Sequence, residues 1–274
     1  MLDGCGKRGE RTGKARWEQA LRQWEKRNME PPQETGKAKG RWDGRIGRET
    51  MEYKYLLFDL DGTLTDPREG ITTSVQYALK AFGIEEPDRE KLTPFIGPPL
   101  RGSFQAFYGF SEAQAQEAVE KYREWFAPKG IFQNEIYDGI AQALKAWKEK
   151  GKVLAVASSK PTVYVEKILE HFKIRAYFSV VVGSELDGTR DSKEEVVEEA
   201  LRQLEGLGQE DKLMQGGGRT VMVGDRKFDV EGGKRHGLVT VGVSFGYAQP
   251  GELEAAGADY VVDTVEELKE LLMR

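Results

Sequence analysis

From Tyr53 onward the chain alternates short apolar runs with amphipathic stretches. Largely apolar segments rich in β-branched and aromatic residues recur at Tyr55–Phe58, Val153–Ala157, Phe178–Val182, Thr220–Val223, Val239–Val243 and Tyr260–Val262. Helical patterns occupy Gly139–Lys150, Val163–His171, Lys193–Leu204 and Val265–Leu272. Apolar runs without in-and-out alternation predict strands covered on both faces. Strands of that kind alternating with helices predict an α/β fold, a Rossmann-like parallel sheet between helical layers.

One interval breaks the rhythm. Nearly a hundred residues separate the first predicted strand from the second, whereas a simple strand–helix–strand crossover needs only about 30 for the whole unit. The excess reads as helices at Ile71–Phe82, Leu100–Tyr108 and Ser111–Phe126, with a Pro-rich stretch, Thr93–Pro99, between the first two. The expected organisation is a core domain of residues 53–66 and 138–274 and an inserted helical cap of residues 67–137. Such a cap would sit above the C-terminal edge of the sheet, where open α/β sheets bind ligands.

Residues 1–52 are built differently. Gly, Lys and Arg dominate, and only Arg16–Asn28 has the spacing of a short helix. Three readings stand: a disordered extension with too little apolar surface to fold, a basic tail for an acidic partner, or a segment that is not made because Met51 is the true start. Residues 1–50 carry 13 basic against 8 acidic side chains, and the remainder 28 against 38. So acidic a main body argues against nucleic-acid binding. The Gly-rich "QGGGR" at 215–219 reads as a flexible loop entering the fourth strand.

Composition narrows the chemistry further. The 39% hydrophobic and 32% charged residues are those of an ordinary soluble globular chain. No apolar run approaches the roughly 18 residues that span a bilayer, and no signal-peptide core is apparent. One cysteine, Cys5, excludes an internal disulfide, and two histidines, His171 and His236, are too few for a usual zinc site. Any metal would therefore be held by oxygen. The expected compartment is the cytoplasm. No clear oligomerisation signal is present, which leaves a monomer or a weak dimer.

Four strand ends carry candidate chemistry. "LLFDLDGTLTD", Leu56–Asp66, ends the first strand with Asp59 and Asp61 two residues apart, on one face of an extended backbone. Two close carboxylates raise each other's pKa unless a cation intervenes. Either Mg²⁺ sits there and leaves one carboxylate free to attack, or Asp-Gly simply marks a hairpin turn. "VLAVASSKP", Val153–Pro161, ends a strand in Ser158 and Ser159, which suit either a phosphate or a helix N-cap. "DGTRDSKEEVVEEAL", Asp187–Leu201, starts a helix with Lys193, against the helix dipole. "TVMVGDRKFD", Thr220–Asp229, ends a buried strand in Asp225 and brings Asp229 in one helical turn later.

In this order the four motifs resemble those of the haloacid dehalogenase-like superfamily, over Tyr53 to the C-terminus. The resemblance implies that Asp59 is a nucleophile forming an aspartyl-phosphate and that Asp61 is the general acid and base. It implies phosphoryl binding by Ser158, with Ser159 beside it, and charge compensation by Lys193. Mg²⁺ would be held by Asp59, Asp225 and the backbone carbonyl of Asp61, with Asp229 beside the metal or holding Lys193. Gly62 and Thr63 would shape the turn after the nucleophile. These roles suit phosphoryl transfer, where positioning and charge neutralisation supply most of the catalysis.

Within the superfamily, Asp61 points away from dehalogenation and toward a phosphatase or mutase. An insert between the first two motifs matches the subgroup with a helical C1 cap, and the 35 positions from Ser158 to Lys193 leave no room for another. The sequence is similar to the branch of phosphoglycolate phosphatases and 5′-nucleotidases. The expected activity is Mg²⁺-dependent hydrolysis of a small phosphorylated metabolite. The alternatives are a mutase of the β-phosphoglucomutase kind and a non-catalytic binding protein. Thr93–Arg101 is the stretch expected to meet the leaving group, with Arg101 a candidate for a substrate carboxylate or second phosphate. Phe104 and Tyr108 are expected to pack the cap.

Overall fold

The computed structural model describes residues 52–207 and 220–274. The N-terminal extension, Met51 and the 215–219 loop lie outside the described residues. Among the described residues the order opens with β1 (Tyr55–Phe58) and β2 (Thr65–Asp66), then α1 (Arg68–Ala81), a 3-10 stretch at Arg89–Phe95, α2 (Leu100–Tyr108) and α3 (Glu112–Phe126). It continues through β3 (Glu135–Ile136), α4 (Ile140–Glu149), β4 (Val153–Pro161), α5 (Thr162–His171), β5 (Phe178–Ser184) and α6 (Lys193–Gly206). The remainder is β6 (Thr220–Gly224), α7 (Lys227–Arg235), β7 (Val239–Val243), α8 (Glu252–Ala255), β8 (Tyr260–Val262) and α9 (Val265–Leu272).

Six strands form one parallel sheet in the order β5-β4-β1-β6-β7-β8. Alternate residues of each strand feed opposite faces. Leu56, Phe58, Leu154, Val156, Val221 and Val223 belong to the larger core. Tyr55, Leu57, Ala155, Ala157 and Met222 join the second, covered by Val196, Val197, Ala200, Leu201 and Leu204 of α6. In the larger core Phe58 stacks on Trp147 of α4 at 5.2 Å and meets Phe178 edge-on at 6.5 Å. Strand order reverses at β1, whose neighbours are β4 on one side and β6 on the other. That switch point opens a crevice at the carboxyl ends of the strands.

In the strands, β5 runs on to Ser184 rather than Val182, and two larger departures from the sequence expectation stand out. Strand β4 runs to Pro161 rather than Ala157, because an irregular stretch after Ala157 lets Pro161 pair with Ser184. A second, two-stranded antiparallel ladder pairs Thr65 with Ile136 and Asp66 with Glu135. It clips together the two ends of the 67–137 segment, and Asp-Gly is therefore not the turn of a hairpin on β1. Inside that segment Phe104 is fully buried and packs on Phe95 at 5.0 Å and Phe110 at 5.8 Å, with Tyr108 against the same two rings. Both aromatics thus pack as expected. Among the described residues no helix is long and apolar enough to cross a membrane.

Candidate active site

Parallel register decides which side chains meet. Phe58 is paired with Val156 on one side and Val223 on the other, so the next residues of all three strands emerge together. Asp59 N donates to Val223 O at 2.9 Å, anchoring the residue at the end of β1. Gly62 then turns the chain with φ +81°, and a Cβ there would meet Asp225 Oδ2 at 2.1 Å. Only glycine combines that backbone with so close an approach.

Lys193 is the centre of charge. Ser192 caps α6 in a capping box with Glu195, which fixes the first turn of the helix. From there the buried Lys193 Nζ reaches Asp59 Oδ1 at 2.9 Å, Asp229 Oδ1 at 2.8 Å and Ala157 O at 3.0 Å. Burial works against its charge, but Asp229 and Asp59 outweigh that and hold it above the ordinary lysine range. The dipole of α6 disfavours a cation at this place, and the two carboxylates supply the compensation.

Asp225 follows β6 and is fully buried. Its Oδ2 accepts from Tyr247 N at 2.8 Å, and its Oδ1 faces Thr63 Oγ1 at 3.5 Å. Burial, then Asp229 and Asp59, push its carboxyl well above the usual range. Asp229 Oδ2 accepts from Arg226 N at 3.0 Å, and glycine at 224 leaves room for that carboxylate, since a Cβ would lie 2.1 Å from its Cγ. Burial lifts Asp229 to about 6, with Lys193 pulling the other way.

Asp59, Asp225 and Asp229 each offer a carboxylate oxygen within 4.8 Å of the others. With Asp61 they set four buried carboxyl groups against two lysines, Lys193 and Lys160, so that ionising all four leaves two negative charges these lysines do not balance. A hard divalent cation matches both the charge and the all-oxygen donor set. The residues present therefore fit Mg²⁺.

Asp61 stands apart from this cluster. Its Oδ2 pairs with Lys160 Nζ at 2.8 Å, and its Oδ1 is buried with no hydrogen-bond partner among the described residues. Burial raises its pKa and Lys160 opposes the shift. Asp61, Ser159 and Lys160 also line a cavity of about 200 Å³, together with Arg101, Tyr122, Arg123 and Phe126 of the 67–137 segment. Ser158 is buried beside it, with Oγ accepting from Lys160 N at 3.4 Å, and Ser159 O accepts from Ser184 Oγ at 2.8 Å. The Arg101 guanidinium lies on the rim, paired with Glu112 at 3.2 Å. Arg226 ties the sheet edge to the helical segment by donating to Ile96 O at 2.8 Å.

The structure thus gathers Asp59, Asp225, Asp229 and Lys193 into one cluster. It holds Asp61 beside them through Lys160, sets Ser158 and Ser159 at the end of β4 and leaves Arg101 at the rim. Two participants carried little signal in the sequence. Lys160 lies inside "SSKP", where a lysine before a proline has the look of surface, and Tyr247 contributes a backbone N–H, which no side-chain pattern marks.

Known proteins resemble this chain over most of its length. The sequence model described as haloacid dehalogenase-like hydrolase matches residues 56–243. A "5′-nucleotidase" of Pseudomonas aeruginosa is 48% identical over 75% of this chain and 89% of its own length. "Tyrosine-protein kinase PtkA" of Mycobacterium tuberculosis is 38% identical over 79% of this chain and 72% of its own. Among solved structures, a predicted phosphatase from Clostridium acetobutylicum is 44% identical with a TM-score of 0.75, over 81% of this chain and 99% of that one.

Proposed function

The chain belongs to the haloacid dehalogenase-like hydrolase family and is a phosphoric monoester hydrolase; from that premise we propose that it is a cytoplasmic, Mg²⁺-dependent phosphatase of small phosphorylated metabolites, working through an aspartyl-phosphate on Asp59. The observation that carries this reading is the division of labour among the buried carboxylates. Asp59 is joined to Asp229 through Lys193 and lies in a cation-sized cluster with Asp225, whereas Asp61 has its own lysine and its own cavity.

Each residue then has a task. Asp59 attacks phosphorus, and the Lys193 ammonium orients it and offsets the negative charge that gathers as the phosphoryl group arrives. Ser158 and Ser159 bind the transferring group. Asp61 protonates the departing alcohol and then takes a proton from the water that hydrolyses the aspartyl-phosphate. Asp59, Asp225 and the Asp61 carbonyl would hold Mg²⁺, with Asp229 beside it, and the bound ion would neutralise phosphoryl charge. The 67–137 segment acts as a cap over the cavity, and the Arg101 side chain on its rim meets a second anionic group of the substrate.

The relatives support a substrate in the range from nucleoside monophosphates to phosphoglycolate, since "5′-nucleotidase" and "Phosphoglycolate phosphatase" both occur among their names. The kinase name of the mycobacterial relative makes the acceptor worth testing, water against a tyrosine hydroxyl. A panel of phosphomonoesters with Mg²⁺, run with and without a tyrosine peptide and read as free phosphate against phosphopeptide, decides substrate and acceptor together. Steady phosphate release that Asp59→Asn abolishes supports the reading; release unaffected by that substitution refutes it.

A further inference from the structure

Lys160 is a buried cation with no place in the steps above. It sits on β4 between the phosphate-side serines and Pro161, 9% exposed. Its Nζ is 2.8 Å from Asp61 Oδ2 and 4.5 Å from the centre of the Phe126 ring of α3. One ammonium therefore joins the side chain assigned as acid to an aromatic face of the opposite wall. The second Asp61 oxygen, Oδ1, is buried and has no hydrogen-bond partner among the described residues, and Asp61 lines the cavity in which a leaving group would lie.

From this arrangement we propose that Lys160 is a positioning residue for the acid step: it pins Asp61 Oδ2 so that Oδ1 is the oxygen that delivers the proton to the leaving group, and the Phe126 ring holds the ammonium in place. The inference rests on the phosphatase reading. As the Asp59 oxygen–phosphorus bond forms, the bond from phosphorus to the ester oxygen breaks. The Asp61 Oδ1 proton passes to that departing oxygen, and Asp61 is left a carboxylate against the Lys160 ammonium. A carboxyl free to rotate would spend much of its time with neither oxygen in line, and proton transfer requires hydrogen-bond reach. The ring excludes water from one side of the ammonium and attracts it through its negative face.

Leaving-group dependence separates this role from a structural one. The quantity to compare is kcat/KM, because it ends at the first irreversible step and so reports phosphoryl transfer to Asp59 rather than the later hydrolysis. The probes are substituted phenyl phosphates from 2,4-dinitrophenyl, whose phenolate leaves without a proton, to unsubstituted phenyl. Lys160→Met should lose less than threefold on the dinitrophenyl ester and about 100-fold on phenyl phosphate, within the range for general acid catalysis. Retained turnover of the activated ester shows that the variant is folded. Lys160→Arg, which keeps the cation, should recover most of the loss on phenyl phosphate. Phe126→Leu should show the same bias at about fivefold.

A uniform loss across the series would overturn the proposal, since it would make Lys160 a phosphate ligand or a folding element. So would no loss at all. Asp61→Asn tells the two failures apart. If it shows the leaving-group bias and Lys160→Met does not, only the role of Lys160 falls; if Asp61→Asn is unbiased, the assignment of Asp61 as acid falls with it.

Discussion

Removing divalent metal and then raising the pH should destabilise this protein, and adding Mg²⁺ should restore it. The perturbation acts on the carboxylates gathered around Lys193. A carboxyl whose pKa is higher folded than unfolded takes up a proton on folding. Its contribution to stability is complete below the unfolded pKa and is lost as the pH rises through the folded one. Asp229, lifted to about 6 mainly by burial, by itself predicts a loss of about 1.4 kcal/mol between pH 5 and pH 7.5 in EDTA. Asp225 and Asp61, both pushed upward first by burial, add in the same direction. Glu199 and Asp187, held low by the groups that hydrogen-bond to them, are ionised in both states above pH 5 and do not mask the trend. Mg²⁺ at a hundredfold excess over its Kd should add about 2.7 kcal/mol, with a larger gain at pH 7.5, where protons compete less for the same oxygens. Urea titrations at the two pH values, in EDTA and in Mg²⁺, read all four stabilities. A metal-free stability that is flat or rises from pH 5 to pH 7.5, or a midpoint indifferent to Mg²⁺, would refute the reasoning.

Three further substitutions probe separate parts of the molecule. Gly62→Ala places a methyl 2.1 Å from Asp225 Oδ2 on a backbone with φ +81°; the strain alone costs about 1 kcal/mol, and the displaced carboxylate should raise the Mg²⁺ concentration for half-maximal activity by about tenfold or more. Arg101→Ala removes the rim guanidinium beside Glu112 and should raise KM for esters carrying a second anion about tenfold while kcat stays within about twofold, the signature of lost ground-state binding. Phe58→Ala deletes a fully buried ring stacked on Trp147 and should lower unfolding stability by about 3–5 kcal/mol in urea.

Most of the sheet was legible because its strands are buried on both faces. Tyr55–Phe58, Val239–Val243 and Tyr260–Val262 form with the bounds their apolar runs predict. Strand β4 outran its prediction because Ser158, Ser159 and Lys160 are polar and look like loop, yet they continue to Pro161 and its pairing with Ser184. The β2–β3 ladder has only two residues per strand, too few for any period to register. Of the site, Asp59, Lys193, Asp225 and Asp229 were readable as polar residues stranded at the ends of apolar runs or at the start of a helix. Lys160 was not, because its partner Asp61 lies 99 positions earlier and a lone lysine before a proline reads as surface. Tyr247 was hidden for another reason: its contribution to Asp225 is a main-chain N–H. Arg101 was singled out from the sequence, and the structure adds the Glu112 pairing that a second substrate anion would have to replace.

The central claim is that Asp59 carries the phosphoryl group. Rapid acid quench during turnover of p-nitrophenyl phosphate, followed by proteolysis and tandem mass spectrometry, locates the added phosphoryl mass of about 80 Da on the nucleophile. The mass should appear on Asp59, rise when Asp61→Asn slows hydrolysis of the aspartyl-phosphate, and vanish in Asp59→Asn. Phosphate release with the mass on another residue, or with turnover continuing in Asp59→Asn, would contradict it.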